Sequence, residues 1–322
     1  MVYTKNKQIK DLQEGELIQD IFVVKIKKGI NPYKKGFRFN LILSDSSGSS
    51  LDYTYWGSDN EEEVKQIYQK IKADSVIYAQ GRVGSYNGTL QLSSDFTLFP
   101  KVLSAEEYEA DFIKTSDKNL DVLFAELSQK IESINDGKIK NLLNQIFSEI
   151  GHKFKNHPGA ISIHHNWKGG LLEHTLEVVE YCEKSLVLFP SLDRDLLIAG
   201  AILHDIGKLE ELETTSRIKG SEIGQLAGHL VLGVSFLIGK LKESDLESLK
   251  KNKLIHLLVS HHGKIEYGSP KEAMFPEAVA LYYADELSSK LSEMTNFVEE
   301  SKDSTEDDFM YHRRSSKNIF LK

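Results

Sequence analysis

Residues 196–208 are Leu196-Leu197-Ile198-Ala199-Gly200-Ala201-Ile202-Leu203 followed by His204-Asp205-Ile206-Gly207-Lys208. Eight successive apolar residues predict a helix that is buried on every side. A histidine and an aspartate at the end of such a helix are costly to bury unless they are paired or bind a cation. The alternative is a helix end whose polar residues reach solvent, and the pair alone leaves both interpretations open.

Polar residues of the same kind interrupt four further apolar segments with helical spacing. They are His174, His229, the pair His261-His262, and Asp285. One such histidine is more often a satisfied core residue than a ligand. Five helices that each bury a histidine or an aspartate are better explained by one shared cation, because each group would otherwise be desolvated separately.

The donor types restrict the kind of metal. Imidazole and carboxylate ligands suit Mn, Fe, Co, Ni or Zn. The chain has one cysteine, Cys182, which excludes an internal disulfide framework and argues against a structural zinc site built on thiolates. A single cysteine also fits a reducing compartment, and we expect a cytoplasmic protein.

Helical apolar spacing continues on both sides of residues 196–208. The spacing predicts helices over 121–134, 138–150, 170–188, 194–204, 224–241, 246–260 and 277–297. Glycine or proline separates several of them, as at Pro190 and Gly220. The chain beyond about residue 100 is therefore predicted to be all-α.

The first hundred residues have a different pattern. Period-two alternation with β-branched and aromatic residues predicts strands over 21–26, 37–43, 51–56, 76–79 and 89–92. Tyr86-Asn87-Gly88-Thr89 predicts a type I′ hairpin, and residues 60–72 predict one helix. Three strands, a helix and two strands is the order of a five-stranded OB-fold β-barrel.

Length and charge also favour two domains. The chain has 322 residues, about two domains' worth. Residues 1–100 carry a net charge of +1 and the remainder −9, which supports a boundary near residue 100. The total of −8 argues against a basic protein that wraps nucleic acid. No apolar run approaches the roughly 18 residues of a membrane span, and no secretory signal is visible, so we expect no membrane partner.

The first half nevertheless has the composition of a strand-binding surface. Between residues 21 and 44 it has six basic residues and no acidic one, interleaved with aromatic residues. OB folds hold single strands with such basic, aromatic grooves, at about 1–3 kcal/mol per stacked base. The predicted contacts are Lys25, Lys27, Lys28, Tyr33, Lys34, Lys35, Phe37, Arg38, Phe39, Tyr55, Trp56 and Tyr86. The alternative is that half of these aromatic residues face the barrel core.

The polar residues of the helical half resemble a known family. His174, His204-Asp205 and Asp285 resemble the H…HD…D pattern of the HD-domain phosphohydrolase superfamily, and His229, His261 and His262 resemble its binuclear subset. His164-His165-Asn166, residues 169–175 and residues 261–270 resemble the YhaM family of 3′→5′ exoribonucleases. That family pairs an N-terminal OB-fold domain with a C-terminal HD domain.

The resemblance spans about residues 15–300 and implies a two-domain α+β chain. It divides the chain into an OB-fold domain at 1–103, a helical connector at 104–150, an all-α HD domain at 151–300 and a tail at 301–322. No motif of the family matches this tail. The implied substrate is single-stranded RNA, with single-stranded DNA as a second option and a homo-oligomer as a further expectation.

The resemblance also implies roles for single residues. His174, His204, Asp205 and Asp285 would hold one divalent metal; Asp205, His229, His261 and His262 would hold another, with Asp205 shared. Manganese is the first expectation, ahead of Co, Fe or Ni. The implied reaction is hydrolysis of the terminal phosphodiester to nucleoside 5′-monophosphates.

Three further residues near these ligands carry expectations of their own. Lys208 would contact the scissile phosphate, or would only cap the C-terminus of a helix. His164 and His165 would contact the phosphate or protonate the leaving oxygen, or would form a loop pair without a chemical role.

Two other functions stay open. One is hydrolysis of a small nucleotide, with the OB domain as a regulatory or oligomerisation module; the Gly-Tyr-Pro triplet of cyclic-di-GMP hydrolases is absent after His261-His262. The other is a non-enzymatic nucleic-acid-binding protein with a degenerate HD domain, against which the complete ligand set argues.

Overall fold

The chain divides into two compact units. The computed structural model describes residues 2–86, 89–161, 165–302, 305 and 307–322. The first unit comprises Met1–Lys114 with Thr214–Arg217, and the second comprises Thr115–Glu213 with Ile218–Lys322.

The first unit is β-rich and built on a six-stranded sheet. Its elements are β1 (Tyr3–Thr4), β2 (Leu17–Tyr33), β3 (Gly36–Ser44), β4 (Ser50–Trp56), α1 (Glu61–Lys70), β5 (Val76–Tyr86), β6 (Thr89–Asp95), β7 (Lys101–Leu103) and β8 (Tyr108–Glu109). The sheet order is β2-β3-β4-β6-β5-β7, and β2 also pairs with β5. The five predicted strands are β2 to β6; β7 adds a sixth because it pairs antiparallel with β5. Asn87 and Gly88 of the predicted hairpin turn lie outside the described residues.

Period-two alternation decides which aromatic residues of the first unit are buried. Phe39 on β3 and Tyr55 on β4 lie in the core, with rings 5.0 Å apart. Their side chains are 0% and 2% exposed, so neither can stack on a base, and their predicted contact with nucleic acid is wrong. Phe37 is half-buried and also packs against this core.

The second unit is helical. It contains α2 (Leu120–Glu132), α3 (Gly137–Asn156), α4 (Gly170–Leu188), α5 (Arg194–Leu203), α6 (Lys208–Glu211), α7 (Glu222–Lys242), α8 (Ser248–Ser260) and α9 (Pro276–Ser301). The unit also has short strands, so the prediction that it is all-α is wrong for these segments: β9 (Leu212–Thr214), β10 (Ile218–Gly220), β11 (Phe309–His312) and β12 (Lys317–Phe320). The seven predicted helices of this half are confirmed, and α6 is the additional one within the part of the chain that the structure describes.

Helix α5 lies at the centre of the second unit. Every residue from Leu196 to Leu203 is buried, and α5 contacts α3, α4, α8 and α9. The Asp193 side chain caps its first turn by accepting a hydrogen bond from the Leu196 amide at 3.1 Å. Because α5 is apolar on all sides, it carries His204 and Asp205 into the protein interior.

Helix α7 has the length and composition of a membrane span, alone among the helices of the described ranges. Only 17% of the residues in its most apolar stretch are buried. However, Gly228 has a φ of 73° and breaks the helix into two segments. The longer segment covers about 21 Å at 1.5 Å per residue, less than the roughly 30 Å of a bilayer core. Length and composition are therefore weak grounds for a membrane role of α7.

Candidate metal centre

Side chains from five helical segments converge inside the second unit. They are His174 on α4, His204 and Asp205 directly after α5, His229 on α7, His261 and His262 directly after α8, and Asp285 on α9. The fold therefore brings together all seven residues that the sequence predicted as ligands.

One group of donor atoms surrounds His174. Its Nε2 lies 3.1 Å from His204 Nε2, 3.4 Å from Asp205 Oδ2 and 3.1 Å from Asp285 Oδ1. Ligand atoms about 2.1 Å from one divalent ion lie about 3.0–3.4 Å from one another, by simple geometry. The observed spacings match that range, so these residues could hold an ion.

A second group surrounds His229. Its Nε2 lies 3.2 Å from His262 Nε2 and 3.6 Å from Asp205 Oδ1. His261 Nε2 is also 3.6 Å from Asp205 Oδ1, and it finds no hydrogen-bond partner among the described residues. A buried imidazole nitrogen without a hydrogen bond is the kind of atom that a metal ion would satisfy.

Asp205 joins the two groups. Its Oδ2 faces His174 and His204, while its Oδ1 faces His229 and His261. The two oxygens of one carboxylate therefore serve two sets of imidazoles. This is the arrangement that a shared ligand requires.

The outer nitrogens of the five histidines all have acceptors. The Nδ1 partners are Ser288 Oγ for His174, the Ala201 carbonyl for His204, Glu211 Oε1 for His229, the Leu258 carbonyl for His261 and the Tyr267 carbonyl for His262, at 2.7 to 3.2 Å. A carbonyl or carboxylate oxygen only accepts, and the Ser288 hydroxyl already donates to Glu177, so these contacts place a proton on Nδ1 of each ring. Nε2 is then the nitrogen that can bind a metal once it is deprotonated. Outer hydrogen bonds of this kind orient histidines that ligate metals.

Charges inside the cluster oppose the effect of burial. Burial disfavours a charge on His174, but the carboxylates of Asp205 and Asp285 outweigh it and raise its pKa to about 9. Burial alone would raise the pKa of Asp205, but Lys208 and the histidines hold it well below its usual range. For His261 burial dominates and lowers the pKa to about 4, so this imidazole is neutral near pH 7 and can act as a ligand.

Lys208 takes part in the cluster. It begins the short helix α6, and its Nζ lies 2.6 Å from Asp205 Oδ2. Burial lowers its pKa, but Asp205 reverses the effect and the pKa is raised, so the ammonium stays charged. The ammonium faces a carboxylate of the cluster rather than the free carbonyls of α5, which does not support the helix-cap alternative.

A hydrogen-bonded chain leads outward from His174. Its Nδ1 contacts Ser288 Oγ, which donates to Glu177 Oε2 at 2.7 Å. The other oxygen of Glu177 lies 3.3 Å from Nε2 of the buried His165. His165 therefore reaches the cluster through Glu177 and Ser288 and also directly, because its ring lies 5.3 Å from that of His174. His164 lies outside the described residues.

Ser288→Ala is expected to weaken binding of the divalent metal about 10- to 100-fold, because it removes the acceptor that orients His174. Titration of metal into the apo protein by calorimetry measures this. Ser289→Ala, the next position on α9, is the control and should bind metal like the wild type. Equal affinity of both variants would contradict an orienting role for Ser288.

Three residues of this site were missed by sequence reasoning. Glu177 and Ser288 each lie three positions beyond a predicted ligand on the same helix, at the spacing that places side chains on one face. Glu211 accepts hydrogen bonds from both the amide and Nδ1 of His229, each at 3.0 Å. For Glu211 no spacing rule applies, because the turn at Gly228 brings His229 to it.

The predicted nucleic-acid contact residues of the first unit differ in how exposed they are and in whether they already contact other groups of the protein. Tyr86, Lys34 and Lys35 are exposed, and Arg38 lies over the Trp56 ring at 4.8 Å. Four other predicted contact residues donate hydrogen bonds within the protein: Lys25 to Ser50 Oγ, Lys27 to the Ile71 carbonyl, Lys28 to Asp52, and the Tyr33 hydroxyl to the Gly57 carbonyl. Trp56 is half-buried, and its ring lies 4.8 Å from that of Tyr33. Without the buried Phe39 and Tyr55, the other predicted residues still form a basic and aromatic set at the surface of the first unit.

One family model and several relatives that share one name match this chain. The HD domain model matches residues 171–290. Proteins named 3′-5′ exoribonuclease YhaM are 31% identical to this chain in Bacillus licheniformis and in Bacillus subtilis, over 89% of this chain and 90% of theirs. The protein of that name from Bacillus pumilus is 30% identical over 92% of both chains. Among solved structures, a replication protein A heterotrimer bound to single-stranded DNA covers 37% of this chain and 29% of its own, at 17% identity and a TM-score of 0.24.

Proposed function

Because the chain belongs to the YhaM family of 3′-5′ exoribonucleases, we propose that it removes nucleoside 5′-monophosphates stepwise from the 3′ end of single-stranded RNA. The enzyme is a metal-dependent exonuclease that hydrolyses phosphodiesters. Single-stranded DNA is a second substrate in this proposal. The observation that carries it is the buried cluster in which Asp205 faces two groups of histidine Nε2 atoms.

The proposed centre would hold two divalent ions. His174, His204, Asp205 and Asp285 would bind the first; Asp205, His229, His261 and His262 would bind the second. Bound there, such ions would supply Lewis-acid stabilisation of the oxygens in a phosphodiester displacement. Manganese is the first choice, because imidazole and carboxylate ligands suit it, and Co, Fe or Ni are alternatives.

The protein's own residues then orient the substrate and the ligands. Lys208 supplies an ammonium at the edge of the cluster, where it can bind a phosphate oxygen. We assign His165 a positioning role, since its Nε2 contacts Glu177, which in turn contacts Ser288. The fixed Nδ1 contacts keep the histidine ligands in one orientation without rearrangement during the reaction.

The first unit is proposed to be an OB fold that binds the strand. Support comes from the strand order β2-β3-β4-β6-β5 with the additional β2–β5 pairing, and from α1 between β4 and β5. Its proposed contact surface comprises Lys34, Lys35, Arg38, Trp56 and Tyr86. The division at residue 103, a cytoplasmic location and self-association stay predictions.

The first experiment is to incubate 5′-labelled single-stranded RNA with the enzyme and Mn²⁺, with and without EDTA, and to resolve the products on a sequencing gel. A ladder that shortens from the 3′ end and disappears with EDTA is expected, with nucleoside 5′-monophosphates as products. Intact RNA in the presence of Mn²⁺ would contradict the proposal and favour hydrolysis of a small nucleotide instead.

A further inference from the structure

The last residues of the chain form a hairpin with two distinct faces. Strands β11 and β12 pair antiparallel, with Phe309 opposite Phe320 and Met310 opposite Ile319. Met310 and Ile319 are half-buried, and Leu321, next to Phe320, is buried. His312 Nε2 and Arg314 Nε each lie 3.7 Å from Glu293 on α9, and the His312 ring packs against Phe297. One face of the hairpin is thus fastened to the end of α9.

The opposite face presents aromatic rings to solvent. Phe309, Tyr311 and Phe320 are 58%, 59% and 54% exposed, and the two phenylalanine rings lie 5.3 Å apart. Alternation would normally put polar residues on the outer face of a hairpin. A group of exposed aromatic residues at one place marks an interaction surface.

The hairpin is basic although the helical half of the chain is acidic. Residues 309–322 contain Arg313, Arg314, Lys317 and Lys322 and no acidic residue, while the chain beyond residue 100 has a net charge of −9. Arg314 faces Glu293, and Lys322 pairs with Asp308. Arg313 and Lys317 are exposed at the turn end of the hairpin. Proteins that bind single-stranded nucleic acid combine aromatic rings, which stack on bases, with basic residues, which contact the phosphate backbone.

The hairpin is connected to the metal centre by α9. Asp285 and Glu293 lie on this helix eight residues apart, which is about 12 Å along its axis. The metal centre and the place where the hairpin is fastened to α9 are therefore about two helical turns apart.

We propose that the outward face of the β11–β12 hairpin is a second binding site for the single-stranded RNA substrate, distinct from the first unit. Phe309, Tyr311 and Phe320 stack on bases, and Arg313, which is exposed at the turn end of the hairpin, contacts a phosphate. Lys317 lies opposite His312, on the face toward α9, and is not part of this site. The proposal rests on the proposed function, because it needs RNA as the substrate.

A second copy of this chain is a less suitable occupant. In a two-fold interface both copies bury the same patch, so the cations of both hairpins would be brought into one interface. Like charges in contact oppose such an association, whereas phosphates neutralise them.

The first test measures binding of a fluorescent 20-nucleotide single-stranded RNA to the full chain in EDTA, which stops hydrolysis. Phe309→Ala/Tyr311→Ala/Phe320→Ala should raise Kd at least about tenfold, the effect of losing one stacked base. Phe189→Ala is the matched control, since Phe189 is 62% exposed at the end of α4, and it should keep the wild-type Kd. An unchanged Kd in the triple variant would overturn the proposal.

The second test uses salt, and it does not depend on the aromatic variant folding. Each phosphate contact contributes about −0.7 to the slope of log K against log salt for a single strand. Arg313→Gln should therefore make the slope less negative by about 0.7, and the exposed Lys184→Gln should leave it unchanged. A slope equal to the wild type's would contradict phosphate contacts at the hairpin.

The two proposals fail in distinguishable ways. If the wild-type enzyme leaves RNA intact with Mn²⁺, the proposed function fails. If it degrades RNA but the hairpin variants bind and degrade it like the wild type, the hairpin proposal alone fails. A change of oligomeric state in the triple variant, seen by light scattering with RNA affinity unchanged, would assign the face to a second copy of the chain and overturn the proposal.

Discussion

Asp205→Ala is expected to lower kcat for RNA hydrolysis at least about 10³-fold, measured as release of nucleotide from end-labelled RNA with saturating Mn²⁺. The substitution removes the carboxylate whose two oxygens face both histidine groups, so each proposed ion loses a ligand. It also leaves the buried Lys208 ammonium without its partner. Metal bound per chain should fall in the same variant.

Two controls separate loss of metal from loss of fold. RNA binding in EDTA should stay close to the wild-type value, because most of the proposed strand contacts lie on the first unit and on the C-terminal hairpin. Glu210→Ala is the matched carboxylate control: Glu210 is exposed, pairs with Lys153 at 3.0 Å and lies only five residues from Asp205. Its activity should stay within about twofold of the wild type. Full hydrolysis by Asp205→Ala would refute the assignment of Asp205 as a ligand.

Much of the second unit is predictable because apolar patterns and polar exceptions coincide. The uninterrupted apolar stretch Leu196–Leu203 of α5 can only be buried, and this places His204 and Asp205 inside the protein. Helix α4 begins and ends where predicted, at Gly170 and Leu188. Buried histidines and aspartates on separate helices are costly to desolvate unless a shared cation binds them. For this reason the sequence could indicate the seven proposed ligands without any distances.

For the aromatic residues of the first unit, the sequence does not indicate which ones are buried. Alternation indicates that Tyr55 and Trp56 point to opposite sides of β4, but it does not indicate which side the rest of the unit covers. In the structure Tyr55 packs against Phe39 in the core, and Trp56 lies beside Tyr33. The basic composition was therefore a better guide to surface residues than the aromatic composition.

The supporting residues of the centre and the C-terminal hairpin were missed for different reasons. Ser288 and Glu177 have ordinary helical positions, and only their contact with His174 gives them a role. The hairpin strands are four residues long, and their aromatic residues point outward, so no buried alternating pattern marks them. The role of Ser288 and Glu177 and the position of the hairpin both depend on contacts between segments that are distant in sequence. A local sequence pattern does not contain that information.

Gly207→Ala is expected to destabilise the second unit by about 3 kcal/mol, because a Cβ at this position has no space. It would lie 2.0 Å from the His229 carbonyl oxygen and 2.5 Å from the Gly233 amide nitrogen, both backbone atoms of α7. Gly207 itself has an ordinary φ of −66°, so the requirement is space and not conformational freedom.

The clash of Gly207→Ala must move α7 away from the segment after Asp205, and His229 moves with it. Thermal unfolding should show a Tm lower by roughly 6–12 °C, and metal affinity should fall as well. Gly239→Ala on the same helix is the control: its Cβ meets nothing within 4 Å, and alanine favours a helix over glycine by about 1 kcal/mol. Its Tm should therefore be unchanged or higher. If both variants unfolded at the wild-type temperature, α7 could not pack on Gly207 as closely as these distances require, and the position of His229 in the cluster would have to be revised.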